Sequence, residues 1–133
     1  MKNSINYLFL IFVTTLTLSC QKRPANSSIT MIDSEKMKTL LQNEDMQLVD
    51  VRTVEEFNEQ YIKDAENIVY DDNFEEKLGK LEKDKPIIIY CRSGRRTALS
   101  ADIMEKQGFI KIYELEGGIM QWMKEGNPIK KID

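Results

Sequence analysis

Along this chain the spacing of apolar positions switches repeatedly between short, dense runs and helical intervals of three and four. The run "ITMI" at 29–32 predicts a strand, and Met37, Leu40 and Leu41 behind Asp33 or Ser34 as N-cap predict a helix. "MQLVDV" at 46–51 reads as a buried strand. It runs into a helix opened by Thr53 and Glu56 in capping-box spacing. "NIVY" at 67–70 predicts a third short strand, and "DDNFEEKLGKL" at 71–81 a helix whose acidic start suits the positive end of its dipole. After a turn at 83–86, "PIIIY" is the densest β-branched run, as expected for a central parallel strand covered on both faces. "RRTALSADIMEKQG" carries helical spacing from Arg96 or Thr97 and ends at Gly108. The strand "KIYEL" and a turn at 116–118 lead to a short amphipathic helix, "GIMQWMKEG".

This order predicts an α/β fold: a mostly parallel central sheet with helices on both faces, in one domain over 29–133. Ligands of such sheets bind at the carboxyl ends of the strands. Two chemically marked strand ends stand out, Asp50 and Arg52 after the second strand and Cys91 after the fourth.

Composition narrows the chemistry. The 133 residues are 41% hydrophobic and 31% charged, which suits a packed domain. The net charge of -3 gives no general attraction to nucleic acid, so an anion site has to be local. There is no histidine, which removes the commonest general base, the commonest metal ligand and any Cys-His pair. No metal site is expected.

The first residues have a different character. Lys2, an apolar run from Tyr7 to Leu18 and the small Ser19 before Cys20 have the pattern of an export signal. The run is shorter than the roughly 20 residues of a membrane-spanning helix. The Ser19-Cys20 junction resembles a bacterial lipobox, with Thr17 where leucine is usual. Residues 1–19 are therefore expected to be removed, Cys20 to carry lipid and 20–28 to form a polar tether. The expected location is the bacterial cell envelope, membrane-bound through the lipid. With Cys20 so committed, Cys91 has no partner for an internal disulfide.

"CRSGRR" follows the "PIIIY" strand. Gly94 lets the loop curl so that successive N–H groups converge above the sulfur, and the next helix adds its positive end. Arg92, Arg95 and Arg96 add three cations, each of which favours thiolate over thiol. The plainer alternative makes Cys91 a small buried hydrophobe, with arginines that only solvate a helix start. The loop's position at a strand's carboxyl end favours a nucleophile. Asp50 could brace a loop arginine or merely cap the turn at Thr53, the structural role being the one favoured. Trp122 and Tyr113 read as core, and Gly117-Gly118 as a tight turn.

Three segments in this order resemble the rhodanese family of single-domain sulfurtransferases: "LVDVRTVEEFNEQYIKDAENI", "IIIYCRSGRRTALSA" and "ELEGGIMQW". The resemblance implies the family's three-layer α/β domain. It further implies that Cys91 takes a sulfane sulfur from a donor such as thiosulfate or a persulfide and passes it to a thiol or cyanide. Arg92, Ser93, Gly94, Arg95, Arg96 and Thr97 would bind the substrate, with Asp50 and Arg52 in support and no cofactor. Where the family often has Gly-His-Ile-x-Gly-Ala, this chain has Gln60 to Ala65, with Tyr61 at the histidine and Asp64 at the second glycine.

Other readings of the loop are a sulfur carrier or binding module without turnover, and a cysteine phosphatase or arsenate reductase. The phosphatases resemble one another in placing an arginine six positions after the cysteine. That position here is Thr97. A thiol-disulfide exchange role lacks a Cys-x-x-Cys pair.

Overall fold

The structure is a computed structural model describing residues 23–132. The expectations for residues 1–19 and Cys20 lie outside the described residues. Five parallel strands, β1 (Ile29–Ile32), β2 (Gln47–Asp50), β3 (Glu66–Asn67), β4 (Ile87–Tyr90) and β5 (Ile112–Leu115), form one sheet in the order β1-β5-β4-β2-β3. All four registers are parallel, as the strand-helix alternation predicts.

The helices are α1 (Ser34–Leu40), α2 (Val54–Glu59), α3 (Phe74–Lys77), α4 (Arg95–Lys106) and α5 (Gly118–Lys124). Alternate residues of the central strands divide between two cores. Val49, Ile87, Ile89, Cys91 and Ile112 meet Phe74 of α3 with Ala101 and Met104 of α4. Leu48, Ile88, Tyr90, Tyr113 and Leu115 meet Met37 of α1 with Ile119 and Trp122 of α5. Every residue of β4 is buried, which explains its unbroken apolar run. Trp122 is a core residue, and its indole N–H donates to the Pro128 carbonyl at 2.8 Å.

Three elements differ from the sequence reading. The third strand pairs only over Glu66–Asn67, two residues instead of 67–70. There the Asn67 side-chain amide donates to the carbonyls of both Asp50 and Arg52, and beyond it the N–H groups of Ile68 and Tyr70 still donate to the carbonyls of Asp50 and Val51, at 3.0 and 3.1 Å, outside the regular ladder. The helix expected over 71–81 is a single turn followed by a 3-10 turn over Leu78–Lys80, with Gly79 disfavouring a longer α-helix. The helix after Cys91 begins at Arg95, so Arg95 and Arg96 belong to its first turn and not to the loop.

Residues 23–28, expected as a polar tether, are hydrogen-bonded to the domain. Ser27 Oγ and the Ser28 N–H donate to Glu105 Oε1 at 2.8 and 2.6 Å, and Arg23 Nη2 lies 2.9 Å from Glu114 Oε1. Glu114 is 2% exposed in the middle of β5, and Arg23 is its only ion-pair partner among the described residues. Arg23→Ala therefore leaves a buried carboxylate without its counter-charge. Arg23 is itself about one-third exposed, so water replaces part of the interaction. The expected loss is about 1–3 kcal/mol in urea unfolding. A change below about 0.5 kcal/mol, the range of ordinary surface substitutions, would show that this segment does not fasten the sheet.

Candidate active site

Cys91 follows β4 directly, at the carboxyl end of the central strand, and is 1% exposed. Only Arg92, Ser93 and Gly94 separate it from α4. Gly94 takes φ 120°, a conformation that L side chains rarely adopt, and its N–H points back to Cys91 Sγ at 3.0 Å. The loop thus turns its amides toward the sulfur at the positive end of a 12-residue helix.

A second element fixes the other side of the loop. The N–H groups of Ile119 and Met120, in the first turn of α5, donate to the carbonyls of Cys91 and Arg92 at 2.9 and 3.1 Å. With those carbonyls bound on the α5 side, the loop amides are free to face the sulfur. This approach requires Gly118: a Cβ there would lie 2.5 Å from the Cys91 carbonyl oxygen and 2.6 Å from that of Arg92. Its φ is 60° and that of Gly117 is 70°. The pair read in sequence as a tight turn also seats a helix end on the active-site loop.

Burial pushes the Cys91 thiol up, but the Thr97 hydroxyl and the backbone amides of Thr97, Gly94 and Ser93 outweigh it and hold the thiol below its ordinary range. Amides and one hydroxyl therefore provide most of what the arginines were expected to provide. Thr97 is 1% exposed, and its Oγ1 makes no hydrogen bond of ordinary geometry in the ground state. A thiolate beside it supplies the acceptor that it lacks.

Thr97→Val keeps the volume and removes that donor. Because the hydroxyl lowers the thiol's pKa, the variant should need a higher pH for the same thiolate fraction, so the pH profile of Cys91 alkylation moves up. At neutral pH, alkylation is expected to slow by about 3- to 10-fold, the size of one lost hydrogen bond. Thermal stability should hold or rise, since a buried unpaired hydroxyl is removed. An unmoved alkylation profile would remove Thr97 from thiolate stabilisation.

The three arginines have separate fates. Arg96 grips Glu56 with two hydrogen bonds, at 2.6 and 2.8 Å. This pairing is the main reason that the Glu56 carboxyl is pushed down to about 2. Arg92 and Arg95 are exposed and have no carboxylate partner among the described residues; Arg92 Nε reaches only Met120 Sδ, at 3.4 Å. Together with Tyr70, Ser93 and Leu99, the three arginines line a cavity of about 490 Å³ over Cys91. Its floor is a nucleophile, its rim is cationic and one wall is apolar. Arg92, Ser93, Arg95 and Arg96 are thus brought together as expected, whereas Gly94 and Thr97 act on the sulfur from beneath.

Asp50 braces neither a loop arginine nor the turn at Thr53. Fully buried, it accepts from the N–H, Nε and Nη2 of Arg52 at 2.6 to 3.0 Å, and Arg52 Nη2 also donates to the Gln60 carbonyl at 2.6 Å. The Thr53 turn is capped by Glu56 instead. Asp50 and Arg52 lie outside the Cys91 cavity and fasten the β2-α2 corner beside it. Tyr61 stacks on Phe57 at 4.5 Å, away from the cavity lining.

The sequence reading missed Glu56 as a partner of Arg96 and α5 as a support of the loop. Glu56 was visible only as a capping-box residue, a role that it also fills.

The chain matches the family model described as "Rhodanese-like domain" over residues 33–125. A sulfurtransferase of Allochromatium vinosum is 34% identical over 102 residues, covering 76% of this chain and 94% of the relative. A thiosulfate sulfurtransferase of Glaesserella parasuis is 27% identical over 103 residues, covering 77% and 94%. The crystal structure of a rhodanese-like domain protein from Staphylococcus aureus superposes with a TM-score of 0.66 at 33% identity, covering 77% of this chain and 99% of that one. With a cysteine cradled at the end of its central strand and the family model matched from α1 to α5, the chain belongs to the rhodanese-like domain family.

Proposed function

We propose that this chain is a sulfurtransferase that carries a sulfane sulfur on Cys91. The Cys91 thiolate attacks the outer sulfur of thiosulfate, the S–S bond of the donor breaks, and its electron pair leaves with sulfite. The product is a persulfide, whose outer sulfur then passes to cyanide as thiocyanate or to a thiol as a new persulfide. Cys91 returns as thiolate. The observation that carries this reading is the sulfur held at 3.0 Å by the Gly94 amide, in a three-residue loop at the start of α4.

Arg92 and Arg95, without a carboxylate partner among the described residues, bind the sulfonate of the donor and stabilise the departing sulfite. Arg96 contributes less, because Glu56 already takes both faces of its fork. The loop amides hold the transferred sulfur. Sulfur chemistry suits this loop better than phosphoryl transfer, since the sixth position after the cysteine is the buried Thr97 and not an arginine.

The test is the intact mass of the protein after incubation with thiosulfate. One added sulfur per chain, released by cyanide and blocked by prior alkylation of Cys91, is expected together with free sulfite. An unchanged mass would sink the proposal. Hydrolysis of an aryl phosphate would replace it with the phosphatase reading.

Export and lipidation at Cys20 complete the proposal, supported by the pattern of residues 1–20. Wild-type protein should fractionate with membranes and incorporate labelled fatty acid, and Cys20→Ala should abolish the label. Unlabelled, fully soluble wild-type protein would refute the anchor.

A further inference from the structure

A second cavity, of about 240 Å³, adjoins the first across Arg92, which lines both. Its walls differ in kind from those of the first. Ile119, Met120 and Met123 supply an apolar side, and Glu59 and Gln60 stand at the end of α2. Two other charged residues line it, but their charges are engaged elsewhere: Arg52 is held by Asp50, and Glu56 by Arg96. What remains is one cation, Arg92, and one anion, Glu59, neither of them ion-paired among the described residues.

We infer that this cavity is the acceptor subsite and that it takes a small zwitterionic thiol, an amino acid or short peptide with both a free carboxylate and a free amine. The inference rests on the sulfur-transfer reading of Cys91. The carboxylate pairs with Arg92, the ammonium with Glu59, and the methylene part lies on Met120 and Met123. A simple anion such as a second thiosulfate meets Glu59 and is disfavoured. A simple amine meets Arg92. Only a ligand carrying both charges satisfies both ends.

The position also fits the chemistry. Cys91 lines the first cavity and Arg92 lines both, so a thiol held on the Arg92 guanidinium from the second cavity reaches the persulfide by extending its sulfur past Arg92 into the first. The acceptor sulfur attacks the outer sulfur of the persulfide, its proton ends on that sulfur, and the Cys91 Sγ leaves as thiolate. No oxidant or reductant is consumed. Arg92 serves the two half-reactions in turn, binding the donor's sulfonate from the first cavity and, once sulfite has gone, the acceptor's carboxylate from the second.

The test uses the protein loaded with sulfur from thiosulfate and follows loss of the added sulfur by mass. The acceptors are cysteine, N-acetylcysteine, cysteine methyl ester and cyanide, compared at equal thiolate concentration. Cysteine is expected to discharge the persulfide at about 10-fold lower concentration than either blocked analogue. Glu59→Gln should erase the advantage of cysteine over N-acetylcysteine. Equal discharge by all three thiols, or a Glu59→Gln variant with the wild-type preference, would overturn the inference. If no persulfide forms, the sulfur-transfer reading fails on its own, and the subsite is then read by binding alone. S-methylcysteine, which cannot accept sulfur, should shift the methyl resonances of Met120 and Met123 in the wild type and not in Glu59→Gln. Absence of that shift in the wild type would overturn the subsite.

Discussion

Cys91→Ser is expected to lower sulfur transfer from thiosulfate to cyanide by at least about 10³-fold, with the fold intact. The chemistry sets the size of the effect. The site favours an anion with amides and the Thr97 hydroxyl, enough to bring a thiol below its ordinary range. A serine hydroxyl titrates far above any thiol, so the same cradle cannot ionise it near neutral pH, and no histidine is present to take its proton. The structure tolerates the change because serine is close to cysteine in volume and its oxygen can still accept from the Gly94 N–H. A melting temperature within a few degrees of wild type, with no sulfur acquired from thiosulfate, is the expected pair of results. Transfer retained at the wild-type rate would mean that Cys91 is not the carrier.

Asp50→Ala should be strongly destabilising, costing about 3–5 kcal/mol in chemical denaturation. Asp50 is fully buried, and Arg52, which it neutralises, is 3% exposed. Removing the carboxylate strands a guanidinium that has only the Gln60 carbonyl left, against the ring of Tyr90 at 5.8 Å. Loss of that much from a domain whose total stability is of order 5–15 kcal/mol leaves a substantial unfolded fraction. Asp50→Asn keeps an acceptor for the Arg52 backbone N–H and should cost less. If it folds, it should retain thiosulfate turnover, because the pair lies outside the Cys91 cavity. A loss below about 1 kcal/mol for Asp50→Ala would contradict the assignment of this pair as the fastening of the β2-α2 corner.

Legibility of the chain followed how local the causes were. The strands β1, β2, β4 and β5 showed in the sequence because each buries residues on a pattern set by its own run. The capping box of α2 and the Asp33 cap of α1 showed because both are contacts three residues apart. The third strand did not show its true length, because its pairing is set by the end of β2, 17 residues away, where the ladder covers only Val49 and Asp50. The cysteine loop was legible in kind, but its division from the helix was misplaced. The helical spacing starts the helix at Arg96 or Thr97, whereas the chain enters it at Arg95, directly after Gly94 has turned the backbone. Glu56 and Arg96 lie 40 positions apart, and nothing in local spacing joins them. One departure from the family pattern has a visible local cost: Asp64, standing where the family often has glycine, holds φ at 67°. Aspartate tolerates that region better than most residues.

The hydrogen bonds from α5 to the Cys91 loop make two distant stretches of chain a single opening unit. The amide protons of Ile119 and Met120 are held by the carbonyls of the nucleophile and its neighbour, so they exchange with deuterated solvent only when the loop lets go. Their exchange rates are therefore a built-in gauge of how often the sulfur loses its cradle, readable without any substrate. Fraying of the helix that closes the domain then becomes loss of thiolate stabilisation at the centre of the sheet.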